Sequence, residues 1–127
     1  LESCRAFIRA NEKHGLPRFV ALADGRVVGW CDLCSLEWPV FAHSGVLGLG
    51  VVNAYPGQGT GKALLRATLD RARAIGLTRV ELKVRQHNTP AFELYRKMGF
   101  AVEGVKKNAA RVDGRYEDLI CMAQLIS

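Results

Sequence analysis

Val51-Val52-Asn53-Ala54-Tyr55-Pro56-Gly57-Gln58-Gly59-Thr60-Gly61-Lys62-Ala63-Leu64-Leu65 carries an apolar run into three alternating glycines and then into a helical pattern. It reads as a strand, a tight loop and a helix start. Glycine accepts positive φ and lets a ligand approach with no Cβ in the way, so alternating glycines leave several N–H groups free to converge. At a helix N-terminus those donors and the macrodipole both favour an anion. The stretch is a phosphate cradle with a strand behind it.

Counting residues decides which cradle. A Walker-type loop needs Gly, four residues, then Gly-Lys-Ser/Thr. Here Pro56 stands where its first glycine belongs and Ala63 where the magnesium-binding hydroxyl belongs. The dinucleotide fingerprint G-x-G-x-x-G also fails, because Gly57 and Gly59 are followed by Gly61 one residue out of register.

What remains, Tyr55-Pro56-Gly57-Gln58-Gly59-Thr60-Gly61-Lys62-Ala63-Leu64-Leu65, resembles the acetyl-CoA signature of the GNAT superfamily of N-acetyltransferases. A second block, Asn88-Thr89-Pro90-Ala91-Phe92-Glu93-Leu94-Tyr95-Arg96-Lys97-Met98-Gly99-Phe100, is similar to that family's later motif: an asparagine, a short helix carrying Leu-Tyr, then Gly-Phe. The resemblance spans residues 18 to 126. It implies an α+β GNAT-like fold, a mixed and mainly antiparallel twisted sheet flanked by helices in α/β/α layers. It also implies acetyl-CoA as co-substrate, with no metal.

A chain of 127 residues is long enough for one domain with a sizeable core, here residues 1–127. No apolar run approaches the ~18 residues of a membrane span. The chain opens Leu1-Glu2-Ser3-Cys4 with no basic n-region and no cleavage site, so no signal peptide is expected and the expected compartment is the cytoplasm. The resemblance implies a first strand and helix ahead of this point, so the chain looks N-terminally short. The net charge of +6, from 18 Lys+Arg against 12 Asp+Glu, suits either an anionic ligand or a plain basic surface. No basic run with interleaved aromatics argues for nucleic acid, and none for a membrane partner. A homodimer is compatible with the resemblance.

Trp30-Cys31-Asp32-Leu33-Cys34 imitates a thioredoxin W-C-x-x-C, but a redox CxxC must open a helix and Pro39 stops any helix within a turn. On a strand, positions 31 and 34 face opposite sides. The cysteines therefore read as structural, with Cys4 and Cys121 in the core.

In order along the chain, residues 1 to 14 place Leu1, Cys4, Phe7 and Ile8 at helical spacing, predicting an amphipathic helix closed at Gly15. Residues 18–23 and 26–33 flank Asp24-Gly25, predicting a hairpin. Residues 36–44 read as a loop. Residues 45–52 read as the strand into the cradle, whose glycines hint at a bulge or at close approach of a ligand. From Gly61 to Ile75, Leu64, Leu65, Leu69, Ala72 and Ile75 make a buried stripe, capped by Gly76. Residues 79–85 alternate as a half-buried strand. Asn88 or Thr89 caps the next helix, with Ala91, Leu94, Tyr95 and Met98 in one stripe and Gly99 at its end. Residues 100–105 and 116–126 complete the sheet through Val112-Asp113-Gly114-Arg115.

The resemblance supplies a reaction, acetyl transfer from acetyl-CoA to an amine by direct attack. The peptide N–H groups of Gly57, Gln58, Gly59, Thr60, Gly61 and Lys62 would hold the pyrophosphate. The backbone of Leu49, Gly50 and Val51 would hold the pantetheine arm and the acetyl carbonyl. Asn88 would bond the pantetheine or only cap its helix. Tyr95, with a reference pKa near ~10, would protonate the leaving thiolate or serve as core. Many relatives carry a glutamate base at the place of Val46, which cannot take a proton. His43 is the favoured substitute, with Asp32, Glu37 or a water relay as alternatives. The acceptor is a small-molecule amine or a peptide α-amine. The other reading is a CoA-binding module with little catalysis.

Overall fold

The computed structural model describes residues 7–10 by their backbone, and residues 16–52 and 59–126 in full. Gly57, Gln58, the helix end at Gly15 and Cys4 lie outside the described residues. Seven strands form one sheet in the order β1-β2-β3-β4-β5-β7-β6. They are β1 (Phe7–Ala10), β2 (Arg18–Ala23), β3 (Arg26–Ser35), β4 (Ser44–Val51), β5 (Arg79–Arg85), β6 (Ala101–Val112) and β7 (Arg115–Leu125). Only β4 and β5 run parallel, because α1 (Thr60–Ala74) returns the chain between them. The second helix, α2 (Thr89–Lys97), leads from β5 to the outer hairpin.

Local chemistry explains most of these elements. Asp24 and Gly25 take φ values of 52° and 77°, as do Asp113 and Gly114 at 52° and 76°, so each tip has the two positive φ angles that a type I′ turn requires. Asn88 caps α2, its side-chain oxygen accepting from the Ala91 N–H at 3.3 Å. Gly76 and Gly99, at φ 91° and 102°, follow α1 and α2 in the left-handed conformation that ends them.

The core lies on one face, between the sheet and the two helices. Leu64, Leu65, Leu69 and Ala72 of α1 pack on Cys31, Leu33, Leu47, Val80, Leu82 and Met122. Thr68 joins the stripe although its side chain is polar, because its hydroxyl donates to the Leu64 carbonyl at 2.9 Å and is satisfied inside the helix. Ile75 is only partly buried. Because α1 and α2 share this core, the expected second helical layer does not fall among the described residues.

Several expectations are corrected. Phe7–Ala10 is not helical but a strand antiparallel to β2, with Phe7 opposite Leu22 and Ala10 opposite Phe19. The short run Phe7-Ile8 fits either period, and the unpaired edge of β2 decides in favour of the sheet. β4 has no bulge against β3, since their register runs unbroken from Gly29↔Val51 to Ser35↔Gly45. β6 extends to Val112, well past Val105, because two register shifts against β7 let it absorb irregular residues. Residues 39–41 form one 3₁₀ turn within the expected loop.

Cys121 is half-buried rather than core, and Cys34 is exposed. Cys31 is fully buried against α1, and burial pushes its thiol up to about 12. The two cysteines of the CxxC therefore face opposite sides, as strand alternation requires. In the native protein, iodoacetamide near neutral pH is expected to alkylate Cys34 and to spare Cys31 until the chain unfolds. Peptide mapping that found Cys31 modified first would refute this assignment of faces.

Candidate active site

The site begins where the β4–β5 pairing stops. Paired positions run from Ser44↔Arg79 to Val46↔Glu81, yet β4 continues to Val51 and β5 to Arg85. The strands splay. The main-chain groups in the gap follow from alternation: the Val52 N–H donates back to Val28 at 2.8 Å, and the His43 carbonyl accepts from β5-side amides at 3.0 and 3.3 Å. On a strand without a bulge, Leu47, Leu49 and Val51 therefore turn their N–H and C=O groups toward β5, where beyond Val46 no partner strand meets them.

Leu49 and Val51 thus present backbone groups to the gap as expected. Gly50 lines it too, but its peptide groups turn toward β3. Gly50 is glycine for another reason: a Cβ there would run into the Trp30 ring, which covers it from β3. Gly61 has a similar packing role, since its Cβ would sit 3.1 Å from Leu94 of α2.

A cleft of about 690 Å³ fills the splay, walled by Leu49 to Val52, Gly59 to Lys62, Lys83 to Arg85, and the face of α2 bearing Asn88, Leu94 and Tyr95. It is the size of a ligand site. At its α1 end Gly59 is the N-cap, in the left-handed conformation at φ 71°, with no side-chain cap and no acidic residue in the first turn. The first bonded amide is that of Ala63, which donates to the Gly59 carbonyl at 2.9 Å. The N–H groups of Thr60, Gly61 and Lys62 lie in the turn ahead of it, where a helix leaves its donors unsatisfied. The Thr60 hydroxyl is buried in the same place without a partner. Orphaned donors, an orphaned hydroxyl, a lysine and no nearby acid fit a pyrophosphate.

Tyr95 lies deepest, 6% exposed, its ring edge-on to Phe100 at 5.9 Å between centroids. Burial pushes its phenol up to about 12, with a smaller contribution from Cys31. It is therefore a neutral hydrogen-bond donor throughout the physiological range.

The strand alternation of β5 hid two cleft residues, Lys83 and Arg85, because a half-buried strand always has a polar face. They are not equivalent. Glu117 accepts from Nε and Nη2 of Arg85 at 2.9 and 2.8 Å, and its own carboxyl is held below the usual range by that contact. Arg85 fixes the end of β5 to β7. Lys62 and Lys83, exposed like Arg85, make no ion pair among the described residues.

His43 is not brought to the cleft. It precedes β4 at the closed end of the β4–β5 pair, on the order of 20 Å along the strand from Leu49 at roughly 3.3 Å per residue. Its carbonyl, not its ring, is what the structure uses, bonding Thr78 and Arg79. Glu37 is exposed in the β3–β4 connection. Asp32 does not line the cleft either but leans onto β4, its carboxylate oxygen 3.0 Å from where a Cβ on Gly48 would be.

Known proteins resemble this chain in sequence and fold. The chain is 31% identical over 118 residues to the L-amino acid N-acetyltransferase AaaT of Escherichia coli, covering 92% of this chain and 73% of that protein. It is 40% identical over 95 residues to the N-alpha-acetyltransferase RimI of Mycobacterium tuberculosis, covering 74% of this chain but only 58% of that protein. The solved acetyltransferase of GNAT family from Streptococcus pneumoniae superposes with a TM-score of 0.85 at 27% identity, over 91% of this chain and 70% of its own. Residues 2–100 match the family described as Acetyltransferase (GNAT) family, and the chain belongs to it.

Proposed function

We propose that the protein transfers acetyl from acetyl-CoA to a primary amine, either of a small molecule or of a peptide N-terminus. One observation carries the reading: the β4–β5 splay opens onto the bare N-terminus of α1, so one continuous cleft offers donors for a pyrophosphate and unpaired strand amides for a thioester carbonyl. Acetyl-CoA supplies an activated acyl group with a thiol leaving group. The N–H groups of Thr60, Gly61 and Lys62 hold its phosphates, and the backbone of Leu49 and Val51 orients its arm and carbonyl. Tyr95 stays protonated and donates to the departing sulfur, and Asn88 both caps α2 and borders the pantetheine path. AaaT is named for L-amino acids and RimI for N-alpha acetylation, so both acceptor classes occur among relatives.

Val46 favours a second reading, a CoA-binding module with little turnover, because the middle of β4 carries no proton acceptor. Thermal unfolding with acetyl-CoA, with NAD and ATP as controls, is the first test. At a hundred times Kd the ligand should add ~2.7 kcal/mol of stability. No shift would remove the cleft as a CoA site. A shift without thiol release in the presence of any amine would leave the binding module alone.

A further inference from the structure

The face of the sheet away from α1 has its own organisation. Strand register sets Arg18 of β2, Asp32 of β3 and Gly48 of β4 side by side, since Arg18 pairs with Asp32 and Asp32 with Gly48. Directly paired residues share a face, so the guanidinium and the carboxylate stand on the same side and Asp32 leans over the bare Cα of Gly48, the residue before Leu49. Beside them a recess of about 350 Å³ is bordered by Arg18, Asp32, Cys34 and Ser35. Trp30, 48% exposed, closes the next position over Gly50.

Asp32 differs from the other carboxylates on the sheet strands. Glu81 and Glu103 pair with Arg79 at 3.6 and 2.6 Å, Glu117 with Arg85 at 2.8 Å and Asp118 with Lys107 at 3.5 Å. The side chains of Asp32 and Arg18 make no hydrogen bond or ion pair among the described residues, not even with each other, although they are cross-strand neighbours. Their backbone positions lie one strand spacing apart, ~4.8 Å, so an open cation and an open anion share one patch, as the two ends of a zwitterion require.

We propose that the acceptor is a free α-amino acid, its carboxylate held by Arg18 and its ammonium by Asp32 over Gly48, next to the carbonyl site at Leu49. This rests on the acetyl-transfer reading above. The ammonium gives one proton to the Asp32 carboxylate. The freed nitrogen lone pair bonds to the thioester carbonyl carbon, the C–S bond breaks and its electron pair leaves on sulfur. Tyr95 gives that sulfur a proton and recovers the nitrogen's second proton through water. One amide and one thiol result, and the proton on Asp32 returns to solvent. On this side β3 also carries Cys34 and β5 carries Arg79, Glu81, Lys83 and Arg85, while β4 contributes no ionisable group between Val46 and Gly50.

The test compares each of a panel of L-amino acids with its own α-carboxamide, following thiol release at saturating acetyl-CoA. For the wild type, kcat/KM should be at least about tenfold higher for the acid than for the amide, since a charge-assisted bidentate contact contributes roughly 1.5–3 kcal/mol. Arg18→Gln should erase that preference by raising KM for the acid to that of the amide. Asp32→Asn should lower kcat for both acceptors by about 10²-fold or more, with the acetyl-CoA thermal shift intact. An amide or a peptide used as well as the free acid by the wild type would overturn the assignment while leaving acetyl transfer standing. An unaltered kcat in Asp32→Asn would overturn it equally. Acetyl-CoA binding with no acceptor turned over would overturn both this assignment and acetyl transfer.

Discussion

Replacing Tyr95 by Phe is expected to lower kcat by about 10²- to 10⁴-fold, the contribution of a positioned general acid, with acetyl-CoA affinity nearly unchanged. The substitution keeps the ring that packs edge-on to Phe100 and removes only the hydroxyl, so the fold is spared and the readout is chemical. Single-turnover thiol release with a good acceptor is the measurement, and a variant as fast as wild type would take Tyr95 out of the mechanism. The buried phenol, pushed up to about 12, adds a pH signature. Because it holds its proton far above neutrality, the wild-type kcat profile should show no basic limb from Tyr95 below about pH 11. Its raised value also links to stability. An unfolded tyrosine ionises near ~10, so the stability associated with burying the neutral phenol is fully present below that pH and is lost as pH rises toward 12. Tyr95→Phe should lack this part of the alkaline decline in urea unfolding.

Leu64→Ala is expected to cost about 2–5 kcal/mol, a large share of the ~5–15 kcal/mol that holds a typical domain together. Leu64 is 0% exposed, and its Cδ1 would lie 3.0 Å from a Cβ on Gly29, so the helix is seated on β3 at a point where the strand has no side chain to yield. Alanine would leave a void that neither the glycine nor the strand can fill. A urea midpoint shift at constant m would measure the loss, and a cost below about 1 kcal/mol would mean that the α1–β3 contact relaxes freely. The same change should weaken acetyl-CoA binding less than it weakens the fold, because the phosphate donors at Thr60 to Lys62 belong to the helix backbone.

Much of this was legible in the chain. The glycine loop and helix start at Gly59 to Lys62, the Asp-Gly turns, the faultless alternation of residues 79–85 and the Asn88 cap are set by neighbours within a few positions. Local signals of that kind survive folding because the backbone conformation they demand is available to few other residues. The N-terminal segment was misread for the opposite reason. A pair such as Phe7-Ile8 suits helix and strand alike, and a pairing partner more than ten residues away made the choice. Gly48 and Gly50 left a bulge or a ligand's approach open; the unbroken β3–β4 register removes the bulge, and it is side chains of the facing strand, Asp32 and Trp30, that lie over the two glycines.

The sequence by itself determined the family, the helix start at Thr60, the order of elements from β2 onward and the cleft residues Thr60, Asn88 and Tyr95, because each depends on spacing along short segments. Only the tertiary structure decided which charges meet. It set His43 at the closed end of β4, paired Arg85 with Glu117, and left Arg18 and Asp32 open beside Gly48. Those outcomes follow from strand register, which joins residues remote in the chain and shifts every side chain to the other face if it slips by one. No local pattern encodes that alignment. It is settled when the apolar face of the sheet closes on α1.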